Sequence, residues 1–187
     1  MELYPVFLHL RGRPALLVGG GRVASGKIEA LLTAGARVTV VAPRIDASLR
    51  RQDVRIVERA FEPSDLDGQW FAVAAAPADV NRKVALAAEE RRVFVNAVDD
   101  ADSASAYLGG VLRKAGVTLA ISTDGRAPAL AGLLREALEA VLPPDLDAWV
   151  RTAEGLRAQW KEAGVPIPDR RPLLLLALNR LYHQEAA

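Results

Sequence analysis

The chain has 187 residues, with 24 basic and 23 acidic side chains, a formal net charge of +1 and no cysteine. This length fits one domain with an appendage, or two small domains. The balanced charge argues against a general nucleic-acid-binding protein, which normally carries a marked basic excess. The lack of cysteine excludes disulfides, thiolate metal sites and cysteine nucleophiles. The two histidines, His9 and His183, lie near opposite ends of the chain. We therefore predict no metal site.

Neither a secretory signal nor a membrane-spanning segment is predicted. The first residues, MELYPVF, lack a basic stretch followed by a long apolar run. The densest apolar run, LLLLAL at 173–178, is too short to cross a bilayer. We therefore expect a cytoplasmic protein that does not bind membranes.

Apolar runs alternate with helical patterns over the first part of the chain. Most of the runs are apolar at nearly every position, which is typical of strands covered on both faces in a mainly parallel sheet. The alternation predicts a doubly wound α/β domain that extends to about Arg113. The segment YPVFLHL, at 4–10, is expected to add an edge strand. The other predicted strands are 15–19, 37–43, 54–58, 70–76, 93–98 and 117–122.

Helical segments are predicted between these runs and throughout the last third of the chain. Ala24, Ile28, Leu31 and Leu32 share one helical face, and Gly35 is suited to end that helix. A second helix is predicted over 78–92. Proline suits the first turn of a third helix, which begins at residue 128 and ends before two prolines at 143–144. Two further helices are expected over 148–163 and 172–183, with a loop between them.

A glycine-rich turn follows the first strand. Gly19 to Ala24 fits the pattern G-x-G-x-x-A, placed after a strand and before a helix. In a dinucleotide-binding fold the first glycine allows the tight turn, the second admits the pyrophosphate, and the small third residue lets helix and strand pack closely. The helix N-terminus then offers free N–H groups to the phosphates. The context favours a dinucleotide site over a purely structural turn.

The second strand lacks the acidic residue that normally holds the adenosine ribose of NAD. The sequence there is VVAPR, so backbone groups near Ala42 to Arg44 would hold the ribose instead. Arg44 would also suit the 2′-phosphate of NADP, and it is equally well explained as a solvated loop residue.

Ligands of such sheets bind beyond the carboxyl ends of the strands. Three segments lie there: Ala75 to Pro77, Asn96 to Asp100, and Ser122 to Gly125. A carboxylate in NAVDD is placed to act as a base, or only to cap a helix or turn. The hydroxyls of STDGRAP are placed to bind a substrate carboxylate or to cap the next helix.

Four blocks together resemble the precorrin-2 dehydrogenase family, which includes the N-terminal module of sirohaem synthase. They are YPVFLHLRGRPALLVGGGRVASGK, FAVAAAPADVNRKVA, VFVNAVDD and VTLAISTDGRAPALAGLLREALEAVLP. The resemblance covers nearly the whole chain, and GGGRVA and ISTDGRAP are its most specific parts.

The resemblance implies an activity and a domain plan. The activity is oxidation of precorrin-2, a tetrapyrrole with many carboxylate arms, by NAD⁺ to sirohydrochlorin, with insertion of Fe²⁺ or Co²⁺ by some members. The plan is a Rossmann-like domain at 1–113, a dimerisation segment at 114–145 and a small helical domain at 146–187, in a homodimer.

The resemblance also assigns roles to residues. Asp99 matches the proposed base, and Asp100 is the weaker candidate because it enters the turn. Thr123, beside Ser122, matches the substrate-pocket hydroxyl. Together with the motif, the predicted cofactor contacts are Gly19, Gly21, Arg22, Val23, Ala24, Pro43, Arg44 and Ala76, and the predicted substrate contacts are Asn96, Ser122 and Thr123.

The chain departs from the family pattern after the predicted base. Ala106 replaces a common aromatic residue, Gly109 a common proline, and Asp124 one of two adjacent glycines. Two other functions stay open at this point. One is a sirohydrochlorin chelatase with a vestigial nucleotide site, and the other is a non-catalytic NAD(H) sensor.

Overall fold

The computed structural model describes residues 3–184, with side chains for residues 3–182, and divides between Leu108 and Gly109 into two units. The first unit contains five strands in the spatial order β3-β2-β1-β4-β5, and every neighbouring pair is parallel. This result confirms the Rossmann-like α/β fold. The strands are β1 Pro14–Val18, β2 Arg37–Val41, β3 Arg55–Val57, β4 Phe71–Ala74 and β5 Phe94–Ala97.

Helices cover both faces of this sheet because successive strand residues point to opposite sides. Leu17 packs with the apolar face of α1, whereas its neighbour Leu16 packs with α3. Most of the strand positions are buried, as their continuous apolar character predicts. The helices of this unit are α1 Arg22–Thr33, α2 Ala47–Arg50 and α3 Ala78–Glu90, with a 3-10 turn at Pro63–Leu66.

The second unit pairs a two-stranded antiparallel hairpin with three helices. Ala115 and Gly116 form the hairpin turn, and both have positive φ, at 50° and 79°. Two consecutive positive φ values are typical of the two-residue turns that match the twist of the flanking strands. The elements are β6 Gly110–Lys114, β7 Val117–Ile121, α4 Pro128–Val141, α5 Leu146–Glu162 and α6 Ile167–Gln184.

One predicted strand is absent, and another is present but lies outside the parallel sheet. Residues 4–10 form no edge strand. The strand that follows them, β1, has β2 and β4 on its two sides, and the backbone N–H groups of Ser105 and Ala106 occupy the outer edge of β5. The run at 117–122 does not join the parallel sheet. It forms β7 and pairs with β6, a short strand that was not predicted.

The prediction of a loop up to residue 171 is also wrong, since α6 begins at Ile167 and contains Pro172. Pro168 lies in the first turn, where proline is tolerated. The guanidinium of Arg170 donates two hydrogen bonds, of 3.0 and 2.9 Å, to the carbonyl of Val165 just before the helix. Among the described residues, no helix is both long and apolar enough to cross a membrane.

Candidate functional site: a nucleotide cradle at the strand ends

The glycine turn lies where the strand order reverses, between β1 and its neighbours β2 and β4. Such a switch point is where open α/β sheets bind ligands. Gly19 has φ of +133°, and a Cβ there would lie 2.2 Å from the carbonyl oxygen of Ala75. Only glycine meets both conditions, so the first motif glycine brings the ends of β1 and β4 together.

Gly20 and Gly21 are glycines for different reasons. A Cβ on Gly20 would lie 1.9 Å from the carbonyl oxygen of Arg44, so the loop after β2 packs directly on this residue. A Cβ on Gly21 would meet no described atom within 4 Å. The space above Gly21 is therefore open, as a pyrophosphate would require. The need for glycine at position 20 was not predicted, since the motif leaves that position free.

The N-terminus of α1 is prepared for an anion. Gly21 is the N-cap, no side chain caps the helix, and its first turn contains no acidic residue. The first N–H groups of a helix have no intrahelical acceptor and carry partial positive charge. Arg22 and Val23 are exposed there, whereas Ala24 is fully buried and lets the helix approach the sheet. These residues fit the phosphates of a dinucleotide.

A polar network holds the loop after β2 against the glycine turn. The N–H of Asp46 donates to the carbonyl of Gly20 (2.8 Å), and the Asp46 carboxylate accepts from the N–H and hydroxyl of Ser48 at 2.8 and 2.6 Å. The Ser48 hydroxyl lies 2.8 Å from that of Ser25 on α1. The Ser48 hydroxyl is the largest influence that holds the pKa of Asp46 below its ordinary value.

This network fixes the loop that was expected to face the ribose. Pro43 and Arg44 are both exposed at its surface. The sequence reasoning missed Ser25, Asp46 and Ser48, although Asp-x-Ser before a helix is a recognisable capping signal.

A buried amide joins the carboxyl ends of β4 and β5. Asn81, on α3, is 2% exposed. Its Oδ1 accepts from the N–H of Ala76 (3.0 Å), and its Nδ2 donates to the carbonyl of Val98 (3.3 Å). The structure thus connects Ala76, a predicted cofactor contact, with the residue before Asp99. Asn81 was not predicted.

Asp99 is exposed and has φ of +57°, an uncommon conformation for a residue other than glycine. In the part of the chain that the structure describes, no side chain pairs with its carboxylate. Asp100 instead accepts a hydrogen bond from the N–H of Ser103 (3.2 Å), as a turn residue does. Of these two aspartates, Asp99 is therefore the one whose carboxylate is free for a proton or a ligand.

Asn96 has a packing role in this unit. It is 8% exposed, and its Nδ2 donates to the carbonyl of Ala106 (2.9 Å). This bond holds the segment after the turn against β5. Contact of Asn96 with a substrate stays a prediction.

In the second unit, the predicted hydroxyls organise the turn between β7 and α4. Ser122 Oγ accepts from the N–H of Asp124, and Thr123 Oγ1 accepts from the N–H of Ala127, both at 3.1 Å. Each hydroxyl accepts one bond, so its own O–H group stays available as a donor. Asp124 and Gly125 have φ of 54° and 72°. Aspartate tolerates this conformation better than most residues, which explains how Asp124 can replace a glycine.

The second departure from the family pattern also has a structural reason. A Cβ at Gly109 would lie 1.8 Å from the carbonyl oxygen of Ile121. The backbone of β7 therefore occupies the space that the ring of a proline would need.

A cavity of about 440 Å³ lies at the opposite edge of the sheet, next to the amino ends of β1, β4 and β5. Arg13, which lies 3.3 Å above the ring of Trp70, is among its lining residues. It is separate from the glycine turn. The described residues contain no group of three His, Asp or Glu side chains placed to hold a metal ion.

A family model described as "Putative NAD(P)-binding" matches residues 6–110, more than half of the chain. The chain belongs to this family of NAD(P)-binding proteins. The matched segment contains the glycine turn, the loop after β2, and Asp99, so the family match and the open helix N-terminus indicate the same site.

Curated relatives carry a more specific name. "Siroheme synthase 1" from Aeromonas salmonicida is 40% identical over 97% of this chain, and "Siroheme synthase" from Citrobacter koseri is 43% identical over 91%. The chain spans 40% and 38% of their lengths. Among solved structures, "SirC, precorrin-2 dehydrogenase" aligns with a TM-score of 0.71 and 26% identity, over 92% of this chain and 88% of that one. These matches confirm the resemblance inferred from the sequence blocks.

Proposed function

We propose that this NAD(P)-binding protein oxidises precorrin-2 to sirohydrochlorin with NAD⁺ as the acceptor. The observation that carries the proposal is the extent of the likeness to the SirC structure, which covers 92% of the chain. That likeness takes in the hairpin and helices after Leu108, which a minimal dinucleotide-binding domain lacks. The sirohaem synthase relatives support the same pathway.

The reaction removes two electrons and two protons from the tetrapyrrole. Bound NAD⁺ supplies the redox chemistry by accepting one hydrogen with both electrons, and the other hydrogen leaves as a proton. The backbone N–H groups of Arg22 to Ala24 would bind the pyrophosphate. Asp99 would accept the proton, which suits an exposed carboxylate with no ion-pair partner in the described chain.

The second unit would bind the carboxylate arms of the substrate. The hydroxyls of Ser122 and Thr123 keep their O–H donors, and the N-terminus of α4 has no side-chain cap. Charged acceptors form the stronger hydrogen bonds to such donors.

The preference for NAD over NADP is part of the proposal. Because β2 has no carboxylate at its end, the discrimination between NAD and NADP would depend on the backbone of 42–44 and on the side chain of Arg44. Parallel assays with NAD⁺ and NADP⁺ test it, because a 2′-phosphate on Arg44 would give NADP⁺ the higher kcat/KM.

We further propose that the protein is a homodimer joined through its second unit. Among described residues of that unit, only Leu112, Ala131 and Leu146 are buried apolar residues, so it has little core of its own. Leu133 and Val141 on α4 are 64% and 74% exposed. Large exposed apolar patches mark interaction sites. Light scattering should give twice the chain mass, and Leu133→Glu should give a monomer; a monomeric parent protein would reject the dimer.

An anaerobic spectral assay tests the activity. Precorrin-2 is generated in situ, and sirohydrochlorin formation is followed with NAD⁺, with NADP⁺ and without cofactor. Asp99→Asn should lower kcat by about 10² to 10⁴-fold, the usual contribution of a positioned base. Asp102→Asn is the matched control, because Asp102 is an exposed carboxylate of the same turn region. Full activity of Asp99→Asn would reject the base assignment.

Tight NAD⁺ binding without turnover by the parent protein would instead favour a sensor. The location of the protein in the cytoplasm stays a prediction from the sequence.

A further inference from the structure

We infer that Asn81 is a positioning residue. Its side chain holds both the loop beside the cofactor cradle and the loop that carries Asp99. The inference rests on the proposed function and adds a residue to which no role has been assigned. Asn81 lies outside the glycine motif and the predicted substrate contacts. Its two hydrogen bonds connect segments that follow different strands.

Asn81 uses both halves of its amide. The Oδ1 atom accepts from the N–H of Ala76, and the Nδ2 atom donates to the carbonyl of Val98. The side chain is 2% exposed, so water does not readily replace either partner. A buried N–H or C=O left without a partner costs far more than an exposed one. The amide supplies its acceptor and its donor on two separate atoms without any change of protonation.

Hydrogen bonds hold the chain on both sides of Asp99. The N–H of Val98 donates to the carbonyl of Ala74 (2.9 Å), and its carbonyl accepts from Asn81. Asp100, on the other side, accepts from the N–H of Ser103. The backbone is therefore fixed before and after Asp99, which holds that residue at φ of +57°. Aspartate tolerates the left-handed region better than most residues, but the conformation still carries a cost, and the bonds on either side keep Asp99 in it.

Asn81 also positions Ala76. Its N–H is directed to Asn81, which fixes the start of the loop between β4 and α3. That loop follows the strand whose end contacts Gly19, so it lies beside the cofactor cradle. The side chain of Asn81 thus sets the spacing between the loop beside the cofactor and the loop that carries Asp99.

Two substitutions separate the two bonds. Asn81→Asp keeps an oxygen for the N–H of Ala76, and in its ionised form it has no donor for the carbonyl of Val98. Asn81→Leu keeps the approximate size and loses both bonds. Val84→Ala is the control, because Val84 is fully buried one turn further along α3 and has no part in these bonds.

The assays are the Kd for NAD⁺ by titration calorimetry, kcat and KM for precorrin-2, and Tm, all at a temperature below every unfolding transition. For Asn81→Asp we expect kcat to fall about tenfold or more, with the Kd for NAD⁺ within about threefold of the parent protein. For Asn81→Leu we expect both quantities to change by about tenfold or more. Val84→Ala should lower Tm and leave both quantities unchanged.

The inference is overturned if both Asn81 variants keep the parent Kd and kcat. It is also overturned if their losses equal those of Val84→Ala at a similar decrease in Tm, since the role would then be only structural. Failure of the proposed function is a separate result. If the parent protein binds NAD⁺ but oxidises no precorrin-2, the activity is rejected, and the difference in NAD⁺ affinity between the Leu and Asp variants still tests whether Asn81 holds the Ala76 loop.

Discussion

Because the space above Gly21 is open, a substitution there should weaken cofactor binding without preventing the protein from folding. Gly21 has φ of −97°, which an alanine adopts without strain, and a Cβ there meets no described atom within 4 Å. Gly21→Ala should therefore fold, with a small decrease in Tm because alanine is a poorer N-cap than glycine. The new methyl group would occupy the space where the pyrophosphate approaches the N–H groups of α1.

The size of the effect on the Kd for NAD⁺ follows from the hydrogen bonds to the pyrophosphate that the methyl group would prevent. A hydrogen bond to a charged group contributes about 1.5 to 3 kcal/mol. Loss of one such bond would raise the Kd for NAD⁺ by roughly 10 to 100-fold. The measurements are titration calorimetry with NAD⁺ and a thermal melt without cofactor.

Two other glycines serve as controls. Gly20→Ala places a Cβ 1.9 Å from the carbonyl oxygen of Arg44, so the backbone must shift, and we expect a loss of about 1 to 3 kcal/mol in the free energy of unfolding. Gly26→Ala, within α1, has open space and should keep NAD⁺ affinity while gaining roughly 0.5 to 1 kcal/mol of stability. A folded Gly21→Ala protein with the parent Kd would refute the placement of the pyrophosphate.

Two further predictions concern stability. Gly109→Ala should lower the Tm, because its Cβ would lie 1.8 Å from the Ile121 carbonyl oxygen. Gly132→Ala on α4 is the control, because its Cβ would meet no described atom within 4 Å. Equal Tm values for the two variants would contradict this reasoning. Asp65 accepts two hydrogen bonds from Arg59, at 2.8 and 2.6 Å, and these bonds hold its pKa below the ordinary value. A lowered native pKa stabilises the fold above the unfolded pKa of about 3.9, and that stabilisation is lost as the pH falls through the native pKa. Asp65→Asn should therefore be less stable than the parent at pH 7, with the difference closing in acid; a constant difference in urea-unfolding free energy from pH 7 to pH 2 would count against the ion pair.

The parallel sheet was predictable because its strands are short, apolar and separated by strong helical patterns. Runs such as FAVA and LLVG leave no polar face, and burial on both faces is the usual outcome. The first three helices of more than one turn were found at almost their observed bounds for the same reason. The glycine turn was found because its pattern reports local geometry that glycine alone allows.

The predictions from sequence failed mainly where the structure depends on which segments pair with each other as strands. The run at 117–122 has the composition of a buried strand, yet it pairs with β6, whose GVLRK sequence carries little strand signal. The segment at 4–10 is apolar enough for a strand, but it pairs with none of the five strands. Ile167 to Arg171 was taken as loop because of its prolines, although one of them lies in a tolerant first turn.

Parts of the candidate site were also beyond sequence reasoning. Asn81 occupies an ordinary helical position, and only the structure shows that it faces the ends of β4 and β5. Gly20 fills a position that the motif leaves free, and its close contact with Arg44 depends on the tertiary path of a loop. The position of its strand predicted where the Asp99 carboxylate lies, but the sequence did not predict the left-handed backbone of that residue.

The sparse core of the second unit has a consequence for how the protein unfolds. The first unit buries nearly all of the described apolar core residues, so its melting temperature should not depend on protein concentration. In the proposed dimer, the second unit gains its stability by association, and mass action makes that stability fall on dilution. Heating a dilute sample should then give two transitions, and only the lower one should rise with concentration. Trp70 belongs to the first unit, whereas Trp149 and Trp160 belong to the second, so the tryptophan fluorescence of suitable Trp→Phe variants can follow each transition by itself.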